Sequence, residues 1–161
     1  MPLSERIRER ARKLVWSAGA NADMAYKPVL EKFPHITAFG SEKWNLYLTV
    51  GSVYAAVIRL IHDQQPSERD VDELMAIVNG SLAERCPGGV EALEECRKAI
   101  DYSFAGPGAG PEEAEPEFAF SDRVGAWILY KLGGPKEFKD AAVLMRTLGL
   151  SVISAFQSWW E

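Results

Sequence analysis

The sequence predicts an all-α fold, a bundle of six or seven helices with two central, nearly all-apolar helices. Two stretches without any charged residue, 44–58 and 147–160, indicate where the centre lies. A surface helix shows one apolar stripe and one charged face, so a helix that is apolar nearly all round must be covered on most sides. No stretch sustains the period-two alternation that is typical of half-buried strands.

The first two helices are predicted before residue 34. Residues 3–17 form the first, with Ser4 as its N-cap, and Gly19 ends it. Residues 21–33 form a second, weaker helix. We expect it to break at Pro28, because proline lacks the amide N–H and clashes with the preceding turn.

The middle of the chain predicts three further helices. The first of these follows Gly40, with Ser41 as N-cap, and continues to about residue 62. The next starts at Ser67 with acidic residues in its first turns, where the helix dipole favours anions, and stops near residue 85. The third spans about 90–103.

The last part of the chain contains a loop and two more helices. Gly, Pro and Glu dominate residues 104–119 too densely for a regular element, which predicts a loop. A helix over 121–132 follows. Gly133-Gly134-Pro135 then predicts a stop and a restart, and the final helix runs from Pro135 nearly to the C-terminus.

Both apolar helices carry small residues three to four positions apart. Such residues let helix backbones approach closely, so we expect the two helices to cross there, at the low end of the usual separation of about 8–10 Å. The small residues are Gly51, Ser52, Ala55 and Ala56 in one helix, and Gly149, Ser151, Ser154 and Ala155 in the other.

Length and charge restrict the class of protein. A chain of 161 residues favours a single domain, residues 1–161. The net charge of -5 disfavours nucleic acid as a partner, because such binders usually show a basic surface. The excess of arginine within residues 1–17 is expected to form a solvated helix face, since apolar residues occupy the opposite face.

Two further features bear on the compartment. Residues 1–15 lack the continuous apolar core of a secretory signal, so Cys86 and Cys96 are expected to be free thiols in a reducing cytoplasm. A membrane span needs about 20 predominantly apolar residues. The uncharged stretches are shorter and contain polar residues, so no membrane span is expected and the protein is expected to be soluble.

One helix end carries a candidate metal site. Residues 55–63, an apolar run that closes on His62-Asp63, resemble the signature of the HD-type metal phosphohydrolases. The resemblance implies a divalent metal held by His62, Asp63, an upstream histidine and a downstream aspartate, which would activate water against a phosphate. The upstream residue would be His35 and the downstream one Asp101, Asp122 or Asp140. The alternative, which we favour, is a polar helix end with the imidazole near the last carbonyls.

The C-terminus carries a cluster of aromatic residues, Phe156, Trp159 and Trp160. Tryptophan is enriched at interface centres, and a chain end is where fraying is cheapest, so these residues are expected to dock on something. They either cap the core of this chain or form an interface with a partner.

Recognisable catalytic constellations are missing from the sequence, which has no Gly-x-Ser-x-Gly elbow and no phosphate-binding loop. The first hypothesis is therefore a non-enzymatic helical domain without a cofactor that binds another protein or itself as a homodimer. The second is the metal-dependent phosphohydrolase. The third is a small-molecule pocket lined by Tyr47, Tyr54, Trp44 or Trp127.

Overall fold

The computed structural model describes residues 3–33, 40–104, 116–133 and 138–161, with side chains for all of these except 101–104, 116–119 and 138–140. It confirms the all-α prediction with six helices, and the described residues contain no strand. The helices are α1 (Glu5–Lys32), α2 (Ser41–Gln64), α3 (Glu68–Arg85), α4 (Gly89–Phe104), α5 (Pro116–Leu132) and α6 (Phe138–Ala155).

Helix α1 is one continuous helix, so the prediction of two helices before residue 34 was wrong. Its buried stripe continues through Gly19, at Ala18 and Ala22, and packing on α2 therefore extends past the predicted break. Pro28 is tolerated inside the helix. Because proline has no N–H, the carbonyl of Met24 lacks its helical donor. Met24 is 72% exposed, so this turn of the helix faces solvent.

The basic residues near the start of α1 are paired with carboxylates. Arg12 Nη1 lies 3.2 Å from both Glu5 and Glu9, within the same helix. Arg8 Nε donates to Glu73 Oε1 of α3 at 2.6 Å and ties the two helices together. Glu73 of α3 is thus the one carboxylate in these pairs that comes from outside α1, and it offsets part of the excess positive charge of residues 1–17.

Helix α2 is the central element. Every residue from 48 to 57 is buried, and the helix packs against α1, α4, α5 and α6. Gly40 is its N-cap, with φ of 80° and no capping side chain, so the prediction of Ser41 as N-cap was wrong. Ser67, where the sequence predicts this helix to start, is the N-cap of α3 and accepts a hydrogen bond from the backbone N–H of Asp70 at 3.2 Å.

Helices α5 and α6 form a tightly crossed antiparallel pair. A Cβ on Gly125 would clash with the carbonyl oxygen of Met145, and it would lie 2.9 Å from the backbone nitrogen of Gly149. A Cβ on Gly149 would clash with the carbonyl of Ser121. The backbones of these two helices are therefore in direct contact.

This pairing corrects the predicted helix crossing. Helices α2 and α6 are neighbours, but the glycine of α6 approaches α5, and Gly51 of α2 faces Ile128 of α5. Helix α6 is also less central than predicted, because Val143 and Leu150 are exposed on its outer side. The glycines of the two apolar helices thus both contact α5 and do not face each other.

Length and composition would allow α2 to cross a membrane, and among the described residues α2 alone meets this test. The whole helix has 24 residues, longer than its uncharged stretch. Of its 18-residue window, 67% is buried within the chain, as in the core helix of a water-soluble protein. The predicted absence of a membrane span stays a prediction.

Cys86 and Cys96 are both free thiols.

Candidate ligand-binding cavity

A cavity of about 150 Å³ lies between α2, α5 and α6, near the C-terminal end of α2. Apolar side chains form most of its wall, and among the described residues the polar side chains come from the last two turns of α2 and from the end of the chain. The lining residues are Ala55, Ala56, Ile58, Arg59, His62, Asp63, Phe120, Ile153, Phe156 and Gln157.

Helix α2 supplies one face of the cavity. Counted from Ala55, the polar residues of this face follow four, seven and eight positions later, at Arg59, His62 and Asp63. This spacing brings side chains onto the same side of a helix. The alanines are buried and leave space, whereas the residues one and two turns later are long and polar. The face therefore changes from a small apolar floor to a polar rim as α2 ends.

The other two helices supply the bulky wall. Phe120 of α5 packs against Tyr54, with ring centroids 6.1 Å apart. Ile153 and Phe156 come from α6 and from the turn that follows it. Phe156 is only 5% exposed and packs edge-on against Trp159 at 5.5 Å, so its position in the wall is held from behind.

The rim carries an ion pair within α2. Arg59 Nε donates to Asp63 Oδ2 at 2.9 Å, and His62 Nδ1 lies 3.3 Å from Asp63 Oδ1. The hydrogen bond from Arg59, with a smaller contribution from His62, lowers the pKa of the Asp63 carboxyl. His62 is 82% exposed in its side chain and lies at the outer edge of the rim.

The structure brings together part of the predicted metal site. His62 and Asp63 are adjacent, but Asp63 is engaged by a guanidinium, and a metal ion at the carboxylate would meet that positive charge. His35 lies outside the described residues, as do the side chains of Asp101 and Asp140. Asp122 is half-buried on α5. Among the side chains that the structure describes, no three potential ligands form a cluster. The metal site stays a prediction.

The C-terminal aromatic residues dock on their own chain. Trp160 is 9% exposed, and its Nε1–H donates to the backbone carbonyl of Ala56 in α2 at 2.7 Å. Trp159 is partly exposed, with the guanidinium of Arg10 5.3 Å from its ring centroid. A partner interface at Phe156, Trp159 and Trp160 stays a prediction. Of the two indole rings, that of Trp159 is the more exposed.

The aromatic residues of the third hypothesis do not line this cavity. Trp44 and Tyr54 are buried in the core, and Trp44 Nε1–H donates to the carbonyl of Ala22 at 2.8 Å. Trp127 packs edge-on against Tyr47 at 5.7 Å. Tyr47 also lines a separate, wider groove of about 930 Å³ between α1, α2 and the turn after α3. These residues therefore mainly serve packing.

Several cavity residues were not singled out from the sequence. Arg59 could have been found, because it lies one turn before Asp63 and one turn after Ala55 on the same helix face. Phe120, Ile153 and Gln157 could not, because their role depends on how α5 and α6 pack on α2. Sequence periodicity gives the buried face of each helix without naming its neighbour.

Comparisons of this chain with protein-family models, with curated proteins and with solved structures found no match. The function of the chain is therefore inferred from the geometry of the cavity between α2, α5 and α6 and from the exposed side chains.

Proposed function

We propose that this chain is a non-enzymatic binding domain that holds a small, predominantly apolar molecule in the cavity between α2, α5 and α6. The observation that carries the proposal is an apolar chamber with a few polar groups confined to its rim. Small-molecule sites in proteins have this composition: hydrophobic and aromatic walls with a small number of polar groups that orient the ligand.

The size of the cavity limits its occupant. An engineered cavity of about 150 Å³ in another protein, lined by Leu, Ile and Phe, stays dry and binds benzene. The cavity here has a similar volume and apolar walls from Phe120, Ile153 and Phe156, but it is open to solvent at the rim formed by Arg59, His62, Asp63 and Gln157. One six-membered ring or one short branched chain matches this volume.

Filling the cavity tests the proposal. Ala55→Phe places a ring in the chamber, whereas Ala83→Phe adds the same atoms at an exposed position of α3. Thermal unfolding of both variants and of the unchanged chain is followed with increasing toluene. We expect toluene to raise Tm for the unchanged chain and for Ala83→Phe but not for Ala55→Phe, because a ligand stabilises only the folded state that binds it.

A Tm that does not respond to toluene in the unchanged chain would contradict the proposal. An equal response of both variants would also contradict it. Circular dichroism establishes that Ala55→Phe is folded. If it is not, Ile153→Phe replaces it, because Ile153 lines the same chamber from α6 and is only partly buried.

Self-association is a second candidate function, supported by an exposed apolar surface on α5 and α6. Val143 and Leu150 are seven residues apart on one side of α6, and Tyr130 of α5 is 80% exposed at the end of the hairpin that also holds Val143. A second copy of this chain is the proposed occupant. Val143 and Leu150 share one side of α6, and contiguous exposed apolar side chains mark such an interface.

Light scattering after size-exclusion chromatography tests the second candidate. The expected mass is twice the 17.9 kDa of one chain, and the double change Tyr130→Ser with Leu150→Ser is expected to return it to one. Met24→Ser removes an exposed apolar side chain from α1 and is the control. A single-chain mass at about 0.5 mM would reject self-association, because weak dimers populate at high concentration.

A further inference from the structure

We infer that the ligand of the cavity is uncharged: a ring or short branched chain that carries one neutral hydrogen-bonding group toward the rim. This inference rests on the proposed function and adds the chemical class of the ligand. It depends on the charges at the rim and on the direction of α2.

The rim charges compensate one another. Among the described residues that line the cavity, Arg59 and Asp63 are the ionised ones when histidine is counted as neutral, and they form a hydrogen-bonded pair at 2.9 Å. Gln157 and His62 add side chains that donate and accept hydrogen bonds. The described part of the rim thus offers hydrogen bonds, and its carboxylate and guanidinium offset each other.

An ionised ligand would have to compete with this pair. A carboxylate needs the guanidinium that Asp63 already engages, and it would lie at the C-terminal end of α2, where the helix dipole is negative. An ammonium group needs the carboxylate that Arg59 engages. Desolvating a charge without a partner is far more costly than desolvating a neutral polar group. A hydroxyl or carbonyl group needs only one hydrogen bond from the rim.

Three probes of matched shape separate the possibilities. Benzyl alcohol, benzylammonium and benzoate share the ring and differ in the charge of the head group. Titration of the ¹⁵N-labelled chain at about pH 7.5, followed by amide chemical shifts, gives each Kd and identifies the residues that respond. We expect benzyl alcohol to bind at least about tenfold more tightly than either ion, with shifts at Ala55 and Ile153.

Two substitutions at the rim test the cause. Asp63→Asn removes the carboxylate that Arg59 Nε contacts at 2.9 Å, and we expect the affinity of benzoate relative to benzyl alcohol to rise about threefold to tenfold. Arg59→Gln leaves Asp63 without its guanidinium, and we expect a similar relative gain for benzylammonium. Glu94→Gln breaks an exposed pair with Lys98 on α4 and should change neither ratio.

The possible outcomes separate this inference from the proposed function. If benzoate or benzylammonium binds the unchanged chain as tightly as benzyl alcohol at the same residues, the inference is wrong and the cavity remains a binding site. If no probe shifts the cavity residues, both fail. If the two rim variants leave the charge preference unchanged, the explanation by the Arg59–Asp63 pair is overturned.

Discussion

Small residues line two helix contacts of this molecule, with opposite results. At the crossing of α5 and α6, Gly125 and Gly149 let the backbones touch. At the C-terminal half of α2, Ala55 and Ala56 face α6, but a cavity of about 150 Å³ lies between the helices. Small residues therefore permit close approach without enforcing it.

The difference comes from the side chains on the opposite helix. Each glycine of the α5–α6 crossing faces backbone atoms, so the two surfaces close on each other. The alanines of α2 face Phe120, Ile153 and Phe156, whose bulk holds the helices apart. Whether a patch of small residues becomes a tight contact or a chamber is decided by its partner.

The largest effect is expected at the α5–α6 crossing. Gly149→Ala places a methyl group against the backbone of Ser121, which cannot move without separating the helices, so we expect a loss of about 3 kcal/mol in the free energy of unfolding. Urea unfolding measures it. The control is Gly80→Ala on α3, which meets no atom within 4 Å and should stabilise by about 0.5–1 kcal/mol. A loss below about 1 kcal/mol for Gly149→Ala would contradict direct contact between the backbones of α5 and α6 at this crossing.

An intermediate effect is expected where a glycine of α2 faces a side chain. A Cβ on Gly51 would lie 2.7 Å from Cδ1 of Ile128, the far end of a flexible side chain that can rotate away. Gly51→Leu should cost about 1–3 kcal/mol by overpacking, and Gly51→Ala about 1 kcal/mol. Urea unfolding of both variants beside Gly149→Ala ranks the contacts. An alanine at position 51 that destabilises more than one at 149 would reverse the comparison.

A smaller effect is expected at the anchor of the chain end. Trp160→Phe keeps one aromatic ring but removes the pyrrole part of the indole, including the N–H that donates to Ala56, so we expect a loss of at least about 1 kcal/mol. In the variant, amide hydrogen exchange in residues 156–161 should be faster than in the unchanged chain, whereas exchange in α1 should stay the same. Unchanged exchange in that segment would mean that the hydrogen bond does not hold the chain end against α2.

The smallest effect concerns the titration of the rim. The hydrogen bond from Arg59 lowers the pKa of Asp63, so Arg59→Gln should raise it toward the ordinary value of about 3.9. A carboxyl whose pKa is lowered by folding stabilises the folded state above its unfolded pKa, and this contribution is lost as the pH falls through the folded pKa. Carbon-detected NMR titration of both chains gives the two values. Equal values would mean that the ion pair is absent in solution.

The sequence predicted the kinds of elements better than their neighbours. The predicted cap at Ser4 and the predicted helix start at Ser67 follow from local hydrogen bonding, and both are present. The continuity of α1 through Gly19 and Pro28 could not be predicted, because packing against α2 and α3 overrides local helix propensity.

The candidate site shows the same division. His62 and Asp63 were identified from their place at a helix end, and they do lie on the rim of the cavity. The chamber itself could not be predicted, because its walls come from residues more than 50 positions further along the chain. The periodicity of a sequence indicates which face of one helix is buried. It does not indicate how three helices are arranged, and the chamber depends on that arrangement.

The hydrogen bond between Trp160 and Ala56 spans 104 positions of the sequence. A ribosome that adds about 5–20 residues per second needs roughly 5–20 s to travel that distance. During this interval α1 can cover one side of α2, while the side that later meets α5 and α6 stays exposed to solvent or to any chaperone nearby. Synthesis of this chain therefore includes a period in which its central helix is only half protected from aggregation.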